Sequence, residues 1–374
     1  MIRGGMIVGT KELTRRDFIG GVGMTSLLAS AAIVADARKA NAASTSNQDP
    51  FAYVDPELAG PLRNWPGSLE APNARNLASM RAGDGPDSPG LNAPELQPRR
   101  TKVPGRSGAT DVPILIIDQR PDRRNKSAVV YIHGGGYVLG SADSNLRNAQ
   151  DIAQGADSLV VSVDYKLAPE AVFPTALEQN YAALAWLHQN AGHLGVDAAR
   201  IAISGDSAGG DHAAALAIAA RDRKEFPIAF QCLIYPMLDD RTGSSRRVPP
   251  HIGHFVWTEA ANRFGWSSLL GMPAGSSSVP PGSVPARVKD LSGLPPTFIG
   301  VGAIDLFYEE DMEYAKRLAL SGVRTELFVV PGAYHGFDVV ARDARLSIQF
   351  REVWQSAIRR GLEPQVNDEG GRTA

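Results

Sequence analysis

The sequence has little cysteine and no excess of charge of one sign. Cys232 is the one cysteine in 374 residues, so no intramolecular disulfide can form and a disulfide-stapled scaffold is excluded. The 38 Lys and Arg residues are balanced by 40 Asp and Glu residues, for a formal charge of −2. Without a concentrated basic field, the chain is not expected to bind nucleic acid. With 43% hydrophobic and 21% charged residues, it is predicted to be globular rather than disordered or collagen-like.

The N-terminus has the pattern of an export signal. Arg15 and Arg16 precede an uncharged stretch over residues 18–35 that is rich in Gly, Ala and Ser. Two A-x-A cleavage candidates follow, at 35–37 and 40–42, and we favour the second because Arg38 and Lys39 come directly after the first. The pattern resembles a twin-arginine signal peptide. We therefore expect residues 1–42 to be removed and the mature protein to be periplasmic or secreted, without stable membrane insertion. An uncleaved membrane anchor is the alternative, because the stretch only just reaches the length that spans a bilayer.

By its residue composition, the rest of the chain divides into an arm and a larger domain. Residues 43–110 are dense in Pro, Gly, Asn and Ser and predict an extended arm with one or two short helices. From residue 111 to 374, short apolar runs alternate with longer amphipathic segments. Strands are predicted at 114–118, 128–132, 159–163, 200–204, 230–235, 297–301 and 326–330, and helices at 145–154, 175–189, 208–222, 309–321 and 344–359. This alternation predicts an α/β fold whose mostly parallel central sheet is covered by helices on both faces.

One interval breaks the alternation. Residues 240–295 contain no convincing strand but two loops rich in glycine and proline around a possible helix over 258–270. An insertion of this length between parallel strands belongs over their carboxyl ends. We expect it to form a cap together with the arm. Its aromatic residues either line a substrate pocket or pack the cap internally, and the sequence leaves both readings open for Phe255, Trp257, Phe264 and Trp266.

The segment Gly205-Asp206-Ser207-Ala208-Gly209 follows a predicted strand and opens an alanine-rich helix. This G-x-S-x-G pattern is weak alone, but a strand-to-helix turn is the context that a nucleophile elbow requires. The flanking glycines suit such a turn, because it strains the serine backbone and brings its neighbours too close for side chains. Ser207 is therefore predicted to be a nucleophile; the alternative is a tight turn with an unreactive serine.

A second glycine motif, His133-Gly134-Gly135-Gly136, follows the strand that ends at residue 132. Glycines let backbone N–H groups converge on one point, where they can bind a tetrahedral oxyanion; the residue after the nucleophile, Ala208, supplies another donor. A phosphate-binding loop is the competing interpretation, but the Lys-Ser/Thr ending and the GxGxxG spacing are both missing. His133 precedes the serine in the chain and is expected to be structural.

The general base is found by elimination. In this architecture the order along the chain is Ser, acid, His. Among the histidines after the serine, His212 lies inside the helix behind the elbow, and His251 and His254 lie in the insertion. His335 follows the last strand directly, so it is predicted to stand at the carboxyl edge of the sheet and to act as the base.

The acid is predicted from the same geometry. Asp305 comes just after the strand predicted over 297–301, where a side chain can reach the histidine. Glu309, Glu310 and Asp311 are nearby rivals, but they have the pattern of the acidic first turn of the next helix, where the helix dipole favours them.

Together with residues 164–170, Asp-Tyr-Lys-Leu-Ala-Pro-Glu, these motifs resemble the hormone-sensitive-lipase family of α/β-hydrolase esterases, especially its bacterial members. The resemblance begins near Pro113 and implies an α/β-hydrolase fold. Lys166 stands where the family has arginine, in a segment that we expect to be structural. The family implies Ser207, Asp305 and His335 as the catalytic residues, with oxyanion N–H groups from Gly135, Gly136 and Ala208.

The resemblance also implies the chemistry. We expect a serine carboxylesterase that hydrolyses small-molecule esters of short to medium acyl chains through an acyl-enzyme, with no cofactor and no metal. Two alternatives stay open: a lactone hydrolase that uses the same residues, and a non-catalytic ligand-binding protein of this fold. The filled nucleophile, acid and base positions favour an enzyme, whereas the oligomeric state cannot be predicted.

Overall fold

In a computed structural model, the structure describes residues 49–65, 71–82, 96–106 and 109–364. The chain divides into two units, Met1–Ala52 and Tyr53–Ala374, and the fold below is that of the second. The expected signal peptide with Arg15 and Arg16, and the expected start of the mature chain at Ala43, lie outside the described residues. Within the described residues, no helix combines the length and apolar composition needed to cross a membrane.

A sheet of eight strands forms the centre of the second unit. In chain order the strands are β1 (Arg99–Val103), β2 (Val112–Ile117), β3 (Lys126–Ile132), β4 (Leu159–Val163), β5 (Val196–Asp206), β6 (Phe230–Ile234), β7 (Thr297–Gly302) and β8 (Thr325–Val330). Their order in the sheet is β1-β2-β4-β3-β5-β6-β7-β8. Strand β2 pairs antiparallel with β1 and β4, and all other neighbours are parallel. The predicted mostly parallel sheet is confirmed.

Helices cover both faces of this sheet. They are α1 (Pro56–Arg63), α2 (Leu77–Ala82), α3 (Leu146–Ala156), α4 (Thr175–Leu194), α5 (Ala208–Arg223), α6 (Glu259–Leu270), α7 (Tyr308–Leu320), α8 (Phe337–Val340) and α9 (Arg345–Gly361). Helices α4, α5 and α7 share one apolar core with the sheet, while α3 and α9 pack together against it. Strands β3, β4, β6 and β7 are buried along their whole length, because covered parallel strands have no face toward water.

The arm differs from its prediction. Besides the two short helices α1 and α2, it contributes β1, an edge strand that pairs with β2 from Arg99 to Val103. Only Val103 of this strand is buried, so the apolar alternation that predicts a strand is missing from its sequence. The charged residues Arg99, Arg100 and Lys102 suit an edge, where they discourage pairing with another chain.

The register of the parallel strands sets the place of the predicted site residues. Ile132 at the end of β3 pairs with Gly205 of β5, Gly205 pairs with Leu233 of β6, and Gly302 of β7 pairs with Val330 of β8. The carboxyl ends of these strands therefore meet at one edge of the sheet. The loops that leave this edge carry the glycine motif at 133–136, the serine at 207, the aspartate at 305 and the histidine at 335.

Candidate active site

The predicted nucleophile lies on a strained turn between β5 and α5. Ser207 has φ 57° and ψ −122°, a conformation that a residue with a side chain adopts only when its surroundings enforce it. A Cβ on Gly205 would lie 2.1 Å from the carbonyl oxygen of Gly209, and a Cβ on Gly209 would lie 2.0 Å from that of Ile132. Both flanking positions thus exclude any side chain, which is the steric requirement of a nucleophile elbow.

The structure brings the predicted serine, histidine and aspartate into hydrogen-bond contact. Nε2 of His335 lies 2.9 Å from Oγ of Ser207, and Nδ1 of His335 lies 2.9 Å from Oδ2 of Asp305. The other carboxylate oxygen of Asp305 accepts the N–H of Phe307 at 2.9 Å. Asp305 is fully buried and His335 is 5% exposed, so water does not compete for these bonds. The edges of Tyr235 and Phe307 pack on the imidazole, with ring centroids 4.8 and 5.0 Å away.

The three histidines that were not chosen as the base, His212, His251 and His254, are buried or contact other groups. His212 is buried, and loss of water lowers its pKa to about 3, so its ring is neutral across the physiological range. The Nε2 atom of His254 lies 2.6 Å from the carbonyl oxygen of Pro250. His251 packs beside the ring of Tyr53, with centroids 5.2 Å apart. The place of the base beside the serine is thus occupied by His335.

The glycine motif lies against the elbow. A Cβ on Gly134 would lie 2.9 Å from the carbonyl oxygen of Asp206 and 3.3 Å from Cβ of Ser207. Gly135 and Gly136 have φ of 119° and 59°, so the loop turns through backbone conformations that favour glycine. Ala208 is the first residue of α5, where backbone N–H groups lack partners within the helix.

His133 contacts the backbone of the glycine motif. Its Nδ1 lies 2.8 Å from the carbonyl oxygen of Gly134, and its ring stacks on Tyr165 with centroids 4.3 Å apart. The hydroxyl of Tyr165 donates to the carbonyl oxygen of His133 at 2.9 Å. These contacts suit the structural role expected for His133.

Buried polar side chains and a small cavity lie beside Asp206, the residue before the nucleophile. The hydroxyl of Tyr131 donates to this carboxylate at 2.5 Å, yet burial raises the pKa of Asp206 to about 6. A cavity of about 20 Å³, large enough for one water molecule, is lined in part by Asp206 and Asp338. The hydroxyl of Tyr235 donates to Asp338 at 3.0 Å. No local motif in the sequence marks Tyr235 or Asp338, so neither could be predicted.

The insertion lies over the glycine motif, and two of its tryptophans, Trp257 and Trp266, belong to one buried apolar cluster. Trp266 is fully buried and packs edge-on against Tyr137, with centroids 5.0 Å apart. Trp257 instead places its indole ring where a Cβ of Gly136 would be, with the nearest ring carbon 1.9 Å from that position. Trp266 therefore packs the cap, whereas Trp257 covers the predicted oxyanion loop.

The acidic rivals of Asp305 all lie in the first turn of α7, but only Glu309 is exposed. Glu310 accepts the N–H groups of Leu238 at 2.6 Å and Asp239 at 3.1 Å. Neither carboxylate oxygen of Asp311 has a hydrogen-bond partner among the described residues, and burial raises its pKa well above the usual range. The sequence gives no sign of this burial.

The model of a protein family described as having the alpha/beta hydrolase fold matches residues 129–339. Carboxylesterase NlhH of Mycobacterium tuberculosis is 35% identical over 288 residues, which cover 76% of this chain and 88% of that protein. Among solved structures, a bacterial heroin esterase superposes with a TM-score of 0.75 at 34% identity, covering 84% of this chain and 100% of that one. The esterase LipW from Mycobacterium marinum gives 0.74 at 32% identity, covering 86% and 100%.

These matches define the class of the protein. The family match spans more than half of the chain, and its residues include the elbow, the glycine motif and the positions of the predicted acid and base. The chain belongs to the α/β-hydrolase fold family, and the fold predicted from the motifs is confirmed.

Proposed function

We propose that this α/β-hydrolase is a serine carboxylesterase in which Ser207 is the nucleophile, His335 the general base and Asp305 the residue that orients the base. The observation that carries the proposal is the pair of 2.9 Å contacts linking these three side chains on a strained elbow. Relatives that cover most of the chain are named as esterases, which supports an ester as the substrate.

The geometry supports acyl transfer in two steps. As Oγ of Ser207 attacks the ester carbonyl carbon, Nε2 of His335 takes the hydroxyl proton, and buried Asp305 stabilises the imidazolium that forms. Negative charge moves to the carbonyl oxygen, and the N–H groups of Gly135, Gly136 and Ala208 are the donors that we propose for it. The imidazolium then gives its proton to the departing alcohol, leaving an acyl-enzyme. Water repeats the attack and restores the serine.

The enclosure of the site supports a small-molecule substrate. Ser207 is 6% exposed and His335 is 5% exposed, and the insertion covers the glycine loop beside them through Trp257. We propose esters with short to medium acyl chains as substrates, because an apolar cover over the site leaves little space for a long acyl chain.

A chain-length series of p-nitrophenyl esters tests the proposal, with lactones in parallel and Ser207→Ala beside the wild type. We expect ester hydrolysis to fall by roughly four to six orders of magnitude in Ser207→Ala or His335→Ala, because these residues act as a unit. Asp305→Asn should be severely impaired, while Glu309→Gln, with an exposed carboxylate removed from the same region, should stay close to wild type. Near-normal ester turnover in His335→Ala would refute the assignment. Faster turnover of lactones than of any ester would instead indicate the lactone hydrolase.

We also propose that the enzyme is exported by the twin-arginine route, with residues 1–42 removed and a periplasmic or secreted mature form. The support is the arginine pair at Arg15 and Arg16 before a long uncharged stretch and the A-x-A site at 40–42. That route carries folded proteins, and a protein with a single cysteine needs no disulfide formed outside the cell.

A further inference from the structure

Arg81, in the last turn of α2, reaches from the arm to the loops beside the elbow. Its Nε donates to the carbonyl oxygen of Val138 at 2.8 Å, and its Nη2 donates to that of Ala168 at 2.7 Å. Val138 belongs to the loop after β3, and Ala168 to the loop after β4. One guanidinium therefore joins the loops of two neighbouring strands, and its side chain is only 27% exposed.

The remaining contacts of Arg81 are with Glu170. Nη1 donates to Oε1 at 2.8 Å and Nη2 donates to Oε2 at 3.0 Å. The Glu170 side chain is 65% exposed, and ion pairs screened by water to this degree contribute little. The two carbonyl contacts are thus the ones with structural consequence.

Those two carbonyls belong to segments that hold the oxyanion loop. The N–H of Val138 donates to the carbonyl oxygen of Gly135 at 3.1 Å, and the N–H of Ala168 donates to that of Tyr137 at 2.9 Å. Gly136 and Tyr137 are consecutive residues with positive φ, 59° and 68°. A tyrosine in this conformation is strained and persists only where its surroundings hold it. The turn over residues 135–138 therefore depends on hydrogen bonds at both ends.

We propose that Arg81 is a positioning residue for the oxyanion hole. By fixing the carbonyls of Val138 and Ala168, it keeps the turn over 135–138 in the orientation that aims the N–H groups of the glycine loop at the reacting carbonyl. The arm then contributes to turnover through this one side chain. The inference rests on the proposed function, because an oxyanion develops beside the glycine loop when Ser207 attacks a carbonyl carbon.

The main test is Arg81→Ala, assayed for ester hydrolysis and for binding of a trifluoromethyl ketone. Such a ketone adds reversibly to a catalytic serine: the Oγ–C bond forms, the histidine takes the proton, and the negative charge rests on the former carbonyl oxygen. Removing an oxyanion donor outright costs a factor of about 10² to 10³ in kcat. Since Arg81→Ala misaligns the donors without removing them, we expect kcat to fall roughly tenfold. KM should change less than about twofold, because the lost interaction belongs to the transition state. Ketone affinity should fall by the same factor as kcat.

Three matched variants separate positioning from packing. Arg81→Lys keeps the charge but lacks the planar fork, so it should recover only part of kcat. Glu170→Ala removes the exposed ion pair alone, and Arg75→Ala removes an exposed arginine of the same arm; both should stay within about twofold of wild type. Methylguanidinium added to Arg81→Ala should restore part of the lost kcat.

Thermal unfolding of each variant completes the test. If Arg81→Ala has a lower Tm but unchanged kcat and ketone affinity, Arg81 is only structural and the inference is overturned. A wild type that binds the ketone but hydrolyses no ester would contradict the proposed function instead. In that case the ketone affinities of wild type and Arg81→Ala still decide the role of Arg81: equal affinities overturn it, and a loss of about tenfold supports it.

Discussion

Replacing Asp206 with asparagine should stabilise the protein at alkaline pH and have progressively less effect as the pH falls. Burial raises the pKa of this carboxyl from an ordinary value of 3.8 to about 6, against the opposing hydrogen bond from Tyr131 and with a further rise from the Asp338 carboxylate. Asparagine keeps an oxygen that can accept the Tyr131 hydroxyl, so the substitution removes mainly the charge.

The magnitude and the sign follow from linkage. Because the folded state binds this proton more tightly than the unfolded chain, wild-type stability from this group is present below about pH 4 and is lost as the pH rises through about 6. The pKa difference is about two pH units at about 1.36 kcal/mol each. Asp206→Asn should therefore gain up to about 3 kcal/mol over wild type between about pH 4 and pH 8. This is an upper value, because asparagine brings an amide N–H₂ that must find its own partner.

Urea unfolding of both proteins at several pH values between about 4.5 and 8 measures this difference. Titrating groups that do not interact with Asp206 cancel when the two curves are subtracted, whereas Asp338 loses a repulsive neighbour and His335 loses an attractive one. Asp122→Asn is the control for the loss of one carboxylate at the surface, because Asp122 is exposed. If the difference between Asp206→Asn and wild type does not change with pH, the buried carboxylate is not the source of instability and the reasoning is wrong.

Three further predictions concern the buried carboxyl groups at the start of α7, the cap and the N-terminus. Asp311→Ala should raise the free energy of unfolding by about 1 kcal/mol, since it removes a buried group with no hydrogen-bond partner among the described residues, whereas Glu310→Ala should lower it because two backbone N–H groups lose their acceptor; equal signs in urea unfolding would contradict this. Trp257→Ala uncovers Gly136 and should raise kcat/KM for long-chain relative to short-chain esters, whereas a uniform loss across chain lengths would show that the indole only supports the loop. Changing Arg15 and Arg16 to lysine should leave active, uncleaved enzyme in the cytoplasm, and N-terminal sequencing of wild type should begin near Ala43; Met1 or Met6 on membrane-held protein would favour the anchor.

The sequence could predict the part of the site that depends on strand ends. Parallel strands end at a common edge, so the residues directly after the strands at 200–204, 297–301 and 326–330 were expected at the same edge of the sheet. The motif around Ser207 and the order along the chain then selected Asp305 and His335, and the structure brings the three side chains into contact. Their catalytic roles stay predictions until the variants are assayed.

The supporting contacts could not be predicted, because they join segments that are distant in the chain. Arg81 and Glu170 are separated by 89 positions, and Tyr235 and Asp338 by 103. Neither pair has a local pattern, since an arginine in an arm or a tyrosine after a strand is compatible with many environments. Strand β1 was missed for a related reason: its partner β2 determines that Arg99–Val103 is extended, while its own exposed charged residues do not.

The different surroundings of Glu310 and Asp311 could not be predicted from the sequence. They are adjacent carboxylates in the first turn of one helix, where the dipole argument treats them alike. In the structure Glu310 accepts two backbone N–H groups from the start of the insertion, although burial still raises the pKa of its carboxyl well above the usual range. Asp311 has no such partner among the described residues, so its burial costs free energy and favours the neutral acid. One position along a helix turns a side chain by about 100°, and that rotation determines which of the two carboxylates meets the insertion.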